Sequence, residues 1–228
     1  IAFREELKGY RNQLAQTWLT DPDIREKTLR KAYQRYLEEI NASHILVNCP
    51  RDAAPDDTLQ AYRKAVGIRK GILEGKPFGE VALSESDDKS ATINNGSLGY
   101  FTAFQMITPF EDAAYSLQPG AVSGPVRTPF GYHIIKVIDR RPSRGKLRVA
   151  HIMKSVPPGS DGQAVSKAEG EINQIYERLR KGESFAELAS EKSDHRESAA
   201  NGGEMNWFGA GEIINDFSEA AFAMKDTG

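Results

Sequence analysis

From residue 43 onward the chain matches itself at a constant shift of 107 positions. "SHILV" (43–47) meets "AHIMK" (150–154), and "GKPFGEVA" (75–82) meets "GESFAELA" (182–189). The register holds through "NNGSLGYF" (94–101) against "NGGEMNWF" (201–208), and through "PFEDAAY" (109–115) against "DFSEAAF" (216–222). A solenoid would repeat at roughly 20 to 50 residues. A longer shift, unchanged across segments of different periodicity, describes one domain written twice.

The length suits that reading, because 228 residues, 39% of them hydrophobic, can fill one or two modest cores. A net charge of −2, from 30 basic and 32 acidic residues spread along the chain, makes no case for nucleic acid or an anionic membrane as partner. Cys49 is the single cysteine, so no intramolecular disulfide can form, and it reads as a small packed residue. No apolar run approaches the roughly 20 residues that span a bilayer.

Ahead of the repeat, residues 1–40 read as a helical arm of two helices. Phe3, Leu7, Tyr10, Leu14 and Trp18 mark the first, and Ile24, Thr28, Ala32, Tyr33, Tyr36, Leu37 and Ile40 the second. Thr20, Asp21 and Pro22 supply the break between them. Each copy then predicts a short strand, a long helix, a short helix, a glycine-bearing loop and another helix. The long helix shows the stripe Leu59, Tyr62, Val66, Arg69 and Leu73 in the first copy. In the second, a capping box at Ser166–Glu169 precedes Ile172, Ile175, Tyr176 and Leu179. The first copy closes with the strand-like "GPVRTPFGYHIIKVID" (124–139), and "DRRPSRG" (139–145) reads as linker. The fold class is α+β: two tandem domains, 41–140 and 147–228, each a short antiparallel sheet covered by helices. The second copy is expected to be incomplete, ending where the first still has its last strands to come.

Strand alternation puts His44 on one face with Leu46, and His133 with Ile135 and Val137. An imidazole among apolar neighbours is at least partly buried and needs hydrogen-bond partners, and each of these can serve the other. Either one alone reads as a satisfied core histidine, whereas two at matching ends of one domain point toward function. Two histidines without clustered cysteine or carboxylate give too few ligands for zinc. Asp88 is either a turn aspartate or a carboxylate beside the histidines. Leu98, Met106 and Phe110 are either core or the lining of a pocket.

In order along the chain, "SHILV", "GKPFGEVA", "SDDKSA", "GSLGYF", "FQMITPFEDAAYSLQPGAVSGPV" and "TPFGYHIIKV" resemble the parvulin-type peptidyl-prolyl cis/trans isomerases. The arm leading into tandem units resembles the bacterial SurA and PpiD group of envelope folding factors. That resemblance implies a catalytic set of His44, Asp88, His133 and Thr128, with Leu98, Met106, Phe110 and Phe130 binding the substrate proline. Phe130 departs from family members that carry a small polar residue there.

The resemblance also implies isomerisation of Xaa-Pro bonds in unfolded or partly folded polypeptides, outer-membrane proteins among them, in the periplasm or cell envelope. It implies no cofactor and no metal. A holdase that binds aromatic and proline-rich segments with little isomerase activity is the alternative. In the second copy His151 and Phe217 persist, His195 stands at the Asp88 position, Met205 at that of Leu98 and Ile213 at that of Met106. No counterpart of His133 is present, so the first copy is expected to carry the activity.

Overall fold

The computed structural model describes residues 21–225. The described residues divide into two compact units, 21–144 with 210–215, and 145–209 with 216–225. The Phe3-to-Trp18 stripe lies outside the described residues. Among the described residues no helix is long and apolar enough to cross a membrane.

The first unit opens with α1 (Pro22–Tyr36), whose start the Asp21 side chain caps by accepting the amides of Asp23 and Ile24. No residue of α1 is buried; Arg35 ties the helix down through ion pairs with Glu111 and Asp112. The helix stops at Tyr36, not at Ile40 as its spacing predicted, because Glu38 already belongs to β1 (Glu38–Asn48). There follow α2 (Pro55–Leu73), α3 (Phe78–Glu85), the single turn α4 (Ala91–Asn94), β2 (Ser97–Phe101), α5 (Thr108–Ser116), β3 (Val126–Arg127) and β4 (Gly131–Pro142).

The four strands form an antiparallel sheet in the order β2-β1-β4-β3. β1 and β4 are its long central pair, matched from Glu38 opposite Pro142 to Asn48 opposite Gly131, with a bulge between Asn41 and Ala42. Asp139–Pro142 is therefore strand and not linker. Glu39, fully buried, explains how so polar a stretch can pair: Arg141 donates to its carboxylate at 2.7 Å, and the Arg144 amide donates to it at 2.9 Å.

Alternation gives the sheet two apolar faces. Ile45, Val47 and Ile134 pack under α2 and α3, while Ile40, Ala42, Ile135 and Val137 pack with Phe101 under Phe110 and Ala114 of α5. The buried face of α2 is Ala61, Ala65, Ile68 and Ile72, and the predicted stripe of Leu59, Tyr62, Val66 and Leu73 faces outward. Alanines on the inner face let the helix lie close to the strands, which turns the bulkier neighbours toward solvent.

The second unit contains α6 (Gly162–Arg180), α7 (Phe185–Lys192) and the short α8 (Arg196–Ala199), with most of α9 (Asn215–Ala223). α6 starts four residues before the predicted capping box. Asp161 caps it instead, accepting the Ala164 amide at 2.9 Å. Two isolated bridges, Leu147 with Phe208 and Ala150 with Glu204, stand where the first unit has ladders.

The repeat is visible bond by bond. His44 donates its amide to the Gly96 carbonyl, and His151 to that of Gly203. The Leu46 amide bonds the Ser86 hydroxyl and the Met153 amide that of Ser193. The Asn48 and Ser155 amides bond Asp87 and Asp194.

Candidate active site

The antiparallel register sets His44 opposite Ile135 and Leu46 opposite His133, so both imidazoles project from the α5 face as diagonal neighbours on adjacent strands. Both are buried. Their Nδ1 atoms lie 3.1 Å apart, and the Phe110 ring meets each of them edge-on. Asp88 Oδ2 stands 2.8 Å from His44 Nε2, and Thr128 Oγ1 stands 2.9 Å from His133 Nε2.

One proton arrangement satisfies this chain. Ionised Asp88 can only accept, so His44 Nε2 carries hydrogen and donates to it. Neutral His44 then has a lone pair on Nδ1, which accepts from His133 Nδ1–H. His133 Nε2 in turn accepts the Thr128 hydroxyl proton, and the Thr128 oxygen accepts the Phe130 amide at 3.2 Å.

The electrostatics favour the same assignment. Burial, reinforced by the neighbouring His44, pushes His133 down from 6.5 to about 4. Burial also lowers His44, against the partial support of Asp88. Burial pulls the Asp88 carboxyl upward, but hydrogen bonds from Ser90 and His44 outweigh it and hold the group below the ordinary carboxylate range. At neutral pH the site is two neutral rings and one carboxylate.

The chain floors a cavity of about 540 Å³, whose apolar wall is Leu98, Met106 and Phe110, with Phe130 more than half exposed. The eight residues expected from the sequence thus gather in one place: Thr128 beneath, joined through His133, and the other seven on the cavity surface. Leu46, Gln105 and Ile107 also line it. The shared face of His44 and Leu46 could have indicated Leu46, while Gln105 and Ile107 merely flank Met106 in the sequence. A larger groove, about 980 Å³, runs beside Lys31, Arg35 and Tyr115, but it contains none of the buried imidazoles.

The hydroxyl at the end of the chain is open to test. Thr128→Val keeps the shape and leaves His133 Nε2 buried without its donor, so unfolding free energy should fall by about 1–3 kcal/mol in urea denaturation. A change under about 0.5 kcal/mol, the low end for a net hydrogen bond, would mean that Thr128 is not that donor.

In the second unit His151 Nε2 lies 3.0 Å from His195 Nδ1 and 3.0 Å from Ser198 Oγ, with the Phe217 ring edge-on to His151. A ring thus replaces the carboxylate, and burial together with the charge of His195 lowers His151.

The chain is 34% identical over 206 residues to the Chaperone SurA of Chromohalobacter salexigens, covering 84% of this chain and 46% of that one. It is 35% identical over 189 residues to the Chaperone SurA of Methylobacillus flagellatus, covering 82% and 43%. It therefore spans less than half the length of these curated relatives. Among solved structures, the parvulin of Nitrosopumilus maritimus is 40% identical over a match that covers 45% of this chain and 97% of that one, with a TM-score of 0.37. The family model for the PPIC-type PPIase domain, Rotamase, matches residues 44–139 and again 151–228. With two matches that begin on the corresponding histidines His44 and His151 of the two copies, the chain belongs to the PpiC-type peptidyl-prolyl isomerase family.

Proposed function

We propose that the domain spanning residues 41–140 is a peptidyl-prolyl cis/trans isomerase acting on unfolded or partly folded polypeptides. The observation that carries this is the Asp88–His44–His133–Thr128 chain lying beneath an apolar cavity.

Amide resonance sets a rotational barrier of roughly 18 to 20 kcal/mol, and Xaa-Pro is the bond whose two isomers lie close in energy. Twisting that bond breaks no covalent link, so neither nucleophile nor cofactor is needed. The planar amide is more polar than the twisted one, and its carbonyl is stabilised by water. Leu98, Met106 and Phe110 grip the ring and exclude that water, which raises the planar state relative to the transition state. Ionised Asp88, part-exposed at the cavity, adds a negative charge that further disfavours the charge-separated planar form. The histidines are positioning residues, holding Asp88 and the cavity floor in register.

On Xaa-Pro peptides in a protease-coupled assay, the chain should exceed the uncatalysed rate. Met106→Ala should lower kcat/KM about tenfold, the effect of losing part of a buried methionine contact. Asp88→Ala should act mainly on kcat. A wild-type rate equal to the uncatalysed one would end the isomerase reading. The name Chaperone carried by the relatives supports client binding as a second activity; suppression of client aggregation that survives both substitutions would make it independent of isomerisation. Resemblance to the SurA and PpiD group supports a periplasmic or cell-envelope location, with outer-membrane proteins among the clients. We take the residues ahead of β1 as an arm and 147–228 as a second, non-catalytic copy.

A further inference from the structure

Phe104 sits in the loop between β2 and α5 with φ +69°, in the left-handed region that a β-carbon disfavours, and its side chain is 78% exposed. The ring contributes nothing to the core in return for that strain. The second copy makes the same turn without the cost: Gly211, 107 positions on, has φ +74°. A buried carboxylate holds the first turn in place, since Glu111 Oε2 accepts the Phe104 amide at 2.8 Å while its Oε1 accepts from Arg35. Strain that is fixed in this way, at a position where glycine would do, marks a side chain kept for contact with something outside the fold.

The loop continues directly into the cavity, because Gln105, Met106 and Ile107 line it. Two backbone steps put Phe104 at most about 7.6 Å from Met106, Cα to Cα, which is about two residues of an extended chain. Side chains two apart in an extended chain point the same way. Resting on the reading of the cavity as a proline site, we propose that Phe104 forms a second subsite. It takes a bulky apolar side chain two residues from the proline of an extended client.

The test uses the whole chain and three peptides: one proline among alanines, and the same peptide with phenylalanine two residues before or two residues after the proline. Binding is measured by calorimetry and turnover in parallel. One of the phenylalanine peptides should bind wild type about tenfold more tightly than the alanine peptide, the worth of one good aromatic contact. Phe104→Gly should bring that ratio to within about twofold, with a Tm equal to or above that of wild type, as expected when a left-handed position receives glycine. Equal binding of all three peptides to wild type, a ratio that survives Phe104→Gly, or a lowered Tm in that variant would each overturn the subsite. Selective binding without turnover would sink the isomerase reading and leave the subsite standing. Failure of every peptide to bind would remove both.

Discussion

Gly131→Ala should destabilise the first domain by about 4 kcal/mol, a large share of the roughly 5–15 kcal/mol that holds a domain folded. Gly131 begins β4 opposite the end of β1 with φ +153°, and a β-carbon there would stand 2.1 Å from the Val47 carbonyl oxygen and 2.8 Å from the Cys49 nitrogen. Both neighbours are backbone atoms of the central strand's exit and cannot swing aside as a side-chain tip could. Gly131 also accepts the Thr128 amide through its carbonyl, so any shift reaches the hydroxyl that supports His133. Gly67→Ala is the contrast: it lies inside α2 with nothing within 4 Å of the added carbon. There alanine should stabilise by about 0.5–1 kcal/mol through helix propensity. Urea denaturation followed by circular dichroism, with amide exchange on β1 and β4, checks both. If Gly131→Ala unfolds at the wild-type midpoint, the tight crossing at Val47 is wrong.

The second large effect is acid lability. The unfolded chain takes a proton on residue 133 near 6.5, whereas the folded domain refuses it until about 4. Stability is therefore full above pH 6.5 and drains as pH falls toward 4. At 1.36 kcal/mol per pH unit, His133 alone accounts for about 3 kcal/mol. His44, lowered for the same reason, pulls in the same direction, and Asp88, held below its ordinary range, adds a further loss as pH drops through the carboxylate range. Other acids titrate in this window too, Asp112 and Asp139 among them. The informative quantity is thus the difference between wild type and His133→Gln. Between pH 7.5 and 4.5 that difference should shrink steadily in the variant's favour; parallel stability curves would mean that His133 is not the group responsible.

Of the candidate site, the two histidines are legible from the residues alone because they sit on strands; Asp88 and Thr128 lie between elements, and their place beside the rings follows only from the family resemblance. Period-two alternation is enough to say that His44 shares a face with Leu46 and His133 with Ile135, and antiparallel pairing does the rest. The helices were harder. In α2 the large residues Leu59, Tyr62 and Val66 carry the visible helical period, whereas Ala61 and Ala65 face the sheet because they are small. "DRRP" reads as linker because charge and proline are rare in strands; a strand runs there because Glu39, buried under Arg141, pairs its charge. Nothing in the local pattern marks Glu111 as buried or Phe104 as left-handed, since both follow from how one loop meets one helix turn.

The central pairing of Glu38 with Pro142 carries a consequence for synthesis. β1 emerges from the ribosome roughly a hundred residues before its partner, and at about 5–20 residues per second it waits on the order of 5 to 20 s for β4. Through that interval the middle strand of the future sheet has an open edge, and its apolar side chains are uncovered on the β4 side. During its own synthesis the chain thus passes through a partly folded state of the kind proposed above as its substrate.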